Sequence, residues 1–165
     1  MVERVPGLVP LQSGTNNLIT FTSTEAFHRL NNSNHSTETT RSAVHRAVAQ
    51  YAQEYGMPND FFLAVIDMSL PFGGGFDIRG GWDQDISGQS GAAGHEFHRL
   101  GKSVDFSRYY RDLAGQVITV NIFVDEELRR TTNRIDEDEL DRFFDLEGFD
   151  RWERGIGKIH YESRN

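Results

Sequence analysis

Lys158-Ile159-His160-Tyr161-Glu162 alternates polar and apolar residues without a break. A period of two sends successive side chains to opposite faces, so the segment predicts a strand with Lys158, His160 and Glu162 on one face and Ile159 and Tyr161 on the other. Upstream, residues 102–106 and 117–124 predict further strands, the second rich in β-branched residues. Residues 61–66, bounded by Pro58-Asn59-Asp60 and Pro71, predict a buried strand, and 76–78 a short partner for it. Helices are expected over 41–55, capped by Thr39 or Thr40 and stopped at Gly56-Met57-Pro58, and over 136–144, opened by acids and broken by Gly148. The order helix, strands, loop, strands, helix, strand lacks the β-α alternation of a parallel sheet. It predicts an α+β fold, a small antiparallel sheet flanked by helices. Residues 1–40, rich in Asn, Ser and Thr, read as an irregular lead-in, and 41–165 as a single domain.

Bulk properties exclude several classes of function. The 165 residues suffice for one domain with a core, and 37% hydrophobic and 25% charged residues describe a folded globular chain. A net charge of -8, with no basic run, argues against binding nucleic acid. There is no stretch of about 20 apolar residues for a membrane helix, and residues 1–20 lack a signal-peptide profile. The chain contains no cysteine, so any metal must be held by His and carboxylates. Residues 80–94 carry five glycines and few apolar residues, the composition of a long surface loop.

One stretch carries chemistry. In Gly94-His95-Glu96-Phe97-His98-Arg99-Leu100-Gly101-Lys102-Ser103-Val104-Asp105-Phe106, a His and an Asp stand seven apart with a glycine between them. A turn at Gly101 entering a strand brings both side chains toward one point, with Val104 and Phe106 facing the core and Asp105 the opposite side. His160, on the polar face of the last strand, is positioned to supply a third ligand. Two imidazoles and a carboxylate leave one vertex of a tetrahedral zinc open to water, as a hydrolytic site requires. Other patterns fail on spacing: His95-Glu96-Phe97-His98 is one residue short of H-E-x-x-H, with Arg99 where the second His belongs. Gly73-Gly74-Gly75 lacks the Lys-Ser/Thr of a phosphate loop.

The string from His98 to Asp105 resembles the H-x-x-G-x-x-V-D motif of the zinc D-Ala-D-Ala carboxypeptidase, murein endopeptidase and hedgehog-type group. It is most similar to penicillin-insensitive murein endopeptidases, which carry a further His three before the ligand, as His95 stands here. Ser69-Leu70-Pro71-Phe72-Gly73-Gly74-Gly75-Phe76-Asp77-Ile78 also resembles the segment preceding the motif in such relatives. The likeness spans about residues 61–106 and the final strand. It implies a hedgehog/DD-peptidase-like fold with long loops around a zinc cleft. One zinc ion would be held by His98, Asp105 and His160, with His95 hydrogen-bonding a ligand or capping the loop. The implied activity is hydrolysis of peptide bonds in peptidoglycan stem peptides or cross-links, as an endopeptidase or carboxypeptidase. A monomer working outside the cytoplasm is expected. Members of the group often place a His or Glu just before the terminal ligand as general base, whereas here Lys158 stands two before His160. Glu153 is the expected base, with Glu162 as the alternative. A zinc-containing binding domain without catalysis is the competing expectation, because hedgehog-like members keep the metal without the enzyme.

Overall fold

The computed structural model describes residues 7–12, 17–20, 35–57, 62–68, 101–123, 129–153 and 158–164. Among the described residues nine strands and two helices run in the order β1 (Val9–Pro10), β2 (Leu18–Thr20), β3 (His35–Ser36), α1 (Glu38–Glu54), β4 (Leu63–Asp67), β5 (Ser103–Ser107), β6 (Val120–Phe123), β7 (Arg129–Thr132), α2 (Glu137–Leu146), β8 (Phe149–Glu153) and β9 (Lys158–Ser163). Both helices and the strands of the central sheet agree with a mixed α and β architecture. The expected strand at 76–78, the glycine turn at 73–75 and the loop at 80–94 lie outside the described residues.

Local chemistry explains the helix limits. The Thr37 hydroxyl accepts from the Thr40 backbone N–H and so starts α1 two or three residues ahead of the expected Thr39 or Thr40 cap. Ala43, Val44, Ala47, Val48, Tyr51 and Ala52 recur at three- and four-residue spacing and are buried, which fixes the inward face. At the other end Gly56 takes a left-handed φ of 56°, and Met57 N–H reaches back to the Ala52 carbonyl at 2.9 Å. That geometry ends the helix where the sequence placed its stop. In α2, Asp136 caps the Glu139 N–H and three acids occupy the positive first turn.

The main sheet has the strand order β2-β4-β5-β9-β8. Its pairs are antiparallel except β2 with β4, which is parallel, so the expectation of a purely antiparallel sheet is corrected to a mixed one. The physical reason is α1. A parallel pair needs a long crossover connection, and α1 lies between β2 and β4 in sequence. The buried Leu18-Ile19-Thr20 sits inside the stretch expected to be irregular, where a three-residue strand leaves too short a pattern to read.

The opposite edge was equally hidden. Phe149–Glu153 forms strand β8, and Arg129–Thr132 forms β7, which pairs with β6; neither alternates clearly in sequence. Of the strand expected over 117–124, the described residues form Val120–Phe123, Val117 makes an isolated bridge to Arg111, and residue 124 lies outside the described residues.

One face of the sheet packs on the helices. Val65 of β4, Val104 and Phe106 of β5, and Ile159 and Tyr161 of β9 share a buried cluster with the inward residues of α1 and α2. Phe144 of α2 is its hub: it stacks on Tyr161 with ring centroids 4.1 Å apart and meets Phe106 and Phe149 edge-on at 5.4 and 5.1 Å. The Tyr51 and Tyr110 hydroxyls lie 2.7 Å apart in the interior, and Tyr51 also accepts from the Asp136 N–H. This links α1 to the start of α2. Among the described residues no helix is long and apolar enough to cross a membrane.

These buried phenols make stability depend on pH. Burial, with the neighbouring phenol and acids, pushes Tyr51 and Tyr161 above the ordinary tyrosine range, and burial pushes Tyr110 up to about 12. The neutral phenols therefore contribute stability that is complete below the ordinary value of 10 and is lost as pH rises through the folded-state values. In an alkaline titration, tyrosinate absorbance from the buried rings should appear together with loss of far-ultraviolet circular dichroism. Ionisation of all five tyrosines near pH 10 with the native spectrum retained would contradict this account.

Candidate metal centre

The site begins at Gly101, which leads into β5 with a left-handed φ of 70°. A Cβ there would lie 2.9 Å from the Thr37 backbone nitrogen and 3.1 Å from the Ser36 Cα, and the Gly101 carbonyl accepts from the Thr37 N–H at 3.0 Å. Glycine is thus required both for the turn and for the close approach of the α1 cap. From this anchor β5 enters the middle of the sheet, and all five of its residues are buried.

Register then brings the distant residues together. In the β5–β9 pair, Asp105 lies opposite His160, Phe106 opposite Ile159 and Ser103 opposite Glu162. Since directly opposed residues share a face, the apolar partners go to the helices while Asp105 and His160 meet on the other side. The Asp105 Oδ1 and His160 Nδ1 are 2.5 Å apart, and His160 Nε2 is 3.0 Å from Glu162 Oε1. The second Asp105 oxygen, Oδ2, accepts from the Lys158 ammonium. Lys158, His160 and Glu162 therefore share one strand face, as the alternation predicted.

Charges along this row of four side chains are nearly balanced. Asp105 is wholly buried, with Lys158 and the His160 ring as its partners. Burial works against a charged imidazole, but the carboxylates of Asp105 and Glu162 outweigh it and hold His160 above the ordinary histidine value. The row Lys158, Asp105, His160, Glu162 alternates in sign, which makes the burial of its acids tolerable.

Two β-bulges flank this centre. In β4 the register shifts between Val65 and Asp67, so that Asp67 and not Ile66 lies opposite Asp105. In β8 it shifts between Arg151 and Glu153, so that Glu153 and not Trp152 lies opposite His160. Across four strands the backbone row reads Asp67, Asp105, His160, Glu153. Bulges of this kind re-aim a strand and concentrate beside functional sites. Glu153, the expected base, thus belongs to a strand adjoining the His160 strand. Asp67 and Lys158 had no assigned role in the sequence reading. The 158–162 alternation gives the face of Lys158 but not its partner, and nothing in the apolar run 63–66 signals the bulge that places Asp67.

An imidazole and a carboxylate, adjacent and buried, suit a borderline divalent cation such as zinc. Among the described residues no three His, Asp or Glu side chains are grouped to hold a metal ion. His98, the third expected ligand, and His95 lie outside the described residues. No protein-family model matches the chain, and no curated protein matches it either.

Removing the central carboxylate leaves the Lys158 and His160 contacts without their acid. Asp105→Ala should lower unfolding free energy by about 3 kcal/mol, the scale for breaking a buried ion pair. Gly101→Ala should cost about 2 kcal/mol, since it forces a side chain into left-handed backbone and against Thr37. Urea denaturation of both variants measures these losses, and wild-type midpoints would refute the packing and charge account.

Proposed function

We propose that the chain is a zinc-dependent hydrolase of peptide bonds in peptidoglycan stem peptides or cross-links, with a hedgehog/DD-peptidase-like fold. The observation that carries this reading is the cross-strand meeting, at 2.5 Å, of Asp105, the acid of the motif, and His160, the terminal histidine that the resemblance adds as a ligand. Gly101 supports it, because the turn that the motif requires of its glycine is present.

His98, Asp105 and His160 would hold the ion. A zinc ion bound there supplies Lewis-acid polarisation of the scissile carbonyl and makes water a competent nucleophile near neutral pH. Glu162 lies 3.0 Å from His160 Nε2 and would orient the ring, and zinc binding would require His160 to give up the proton it holds. Glu162 would then act as an orienting acid, with Glu153 as the base. As general base, Glu153 takes a proton from the attacking water as its oxygen bonds to the carbonyl carbon, then returns it to the departing amine nitrogen. The peptide substrate would bind beside this centre, and peptidoglycan as the substrate would put the protein outside the cytoplasm.

Zinc analysis of protein purified without added metal should give a stoichiometry near one, abolished by chelator together with peptidoglycan cleavage. Glu153→Gln should keep the metal and lose about 10²-fold or more in rate. Mass spectrometry of released fragments identifies the bond. Full cleavage by His98→Ala and Asp105→Ala proteins would end the proposal.

A second reading, a zinc-containing binding domain without turnover, is favoured by one observation: the position two before His160 holds a lysine already committed to Asp105, not an imidazole base. Retained metal with no released fragments on several wall chemotypes would select it.

A further inference from the structure

Asp105 has its two oxygens divided between two cations of the protein. Oδ1 faces His160 Nδ1 at 2.5 Å, and Oδ2 accepts from the Lys158 ammonium. The contrast in exposure is large: the Asp105 side chain is 0% exposed and the Lys158 side chain 39%. The carboxylate is therefore fixed in the interior, while the ammonium reaches it from the rim along a flexible four-carbon stem. Glu162 already has one oxygen engaged with His160.

We propose that Lys158 is a resident competitor for the metal, a tethered cation that weakens the grip of the Asp105–His160 centre on a divalent ion. This rests on the reading of the site as a zinc centre and concerns how that centre is loaded. Any ion held by Asp105 must share the carboxylate with an ammonium at contact distance, or displace it toward solvent. Either course costs free energy, because two positive charges a few ångströms apart repel and the carboxylate's negative charge is already partly neutralised. Solvent at the exposed end of Lys158 screens the repulsion without removing it. The lysine also provides the buried carboxylate with a counter-charge of its own, so loading is an exchange of cations at Asp105. Zinc held on these terms is more readily released than in a site with a neutral residue at 158.

The test compares the zinc affinity of wild-type protein with Lys158→Met and Lys158→Arg, by competition against a chromophoric chelator at fixed pH, with Asp105→Ala as control. Lys158→Met should bind zinc about tenfold more tightly, while Lys158→Arg, which keeps the charge, should stay near wild type. Should the methionine variant fail to fold, Lys158→Gln carries the same comparison. Equal or weaker binding by the uncharged variants, with Asp105→Ala impaired, overturns the competitor role alone. Binding by Asp105→Ala as tight as wild type overturns the zinc reading on which it stands.

Discussion

The antiparallel register between β5 and β9 is the constraint on which the centre depends. It sets Asp105 against His160 across 55 positions of sequence and, in the same ladder, Phe106 against Ile159 and Val104 against Tyr161. A slip of one residue would turn one strand over relative to the other and set Asp105 and His160 on opposite faces of the sheet. The apolar cluster around Phe144 therefore does more than stabilise the sheet. By trapping Phe106 and Tyr161 beneath α2, it locks the pairing that holds the polar row together.

The polar row is costly in itself. Charges taken from water are retained only when each finds an opposite partner. Here the sign alternates from Lys158 through Asp105 and His160 to Glu162, so the buried centre is nearly neutral in a chain whose net charge is -8. The remaining acidity is partly taken up elsewhere, as in the contacts of Arg151 with Glu137 and Asp141 that tie β8 to α2.

What was legible in the sequence follows from pattern length. The alternation in 158–162 was strict enough to assign both faces of β9, and the periodicity of α1 and the acids of α2 placed both helices. Gly101 was readable because one residue type answers a backbone demand. Leu18–Thr20 was too short to stand out, and β8, with Asp150 and Arg151 at its middle, showed no apolar face of its own. Nor do bulges leave a trace in composition. Glu153 could be nominated as the base from resemblance, but its position opposite His160 arises from a register shift that only the folded ladder reveals. Lys158 was noted for the residue it replaced, while its bond to Asp105 depended on knowing that β9 lies beside β5.

The place of β9 within the sheet has a temporal consequence. It is inserted between β5 and β8, although it is the last of the described strands to be synthesised. Until it docks, β5 and β8 have no common neighbour, and Asp105 has neither its imidazole nor its ammonium. A nascent chain emerging from the ribosome thus carries the acid long before the centre exists, and an incomplete translation product holds only one half of it.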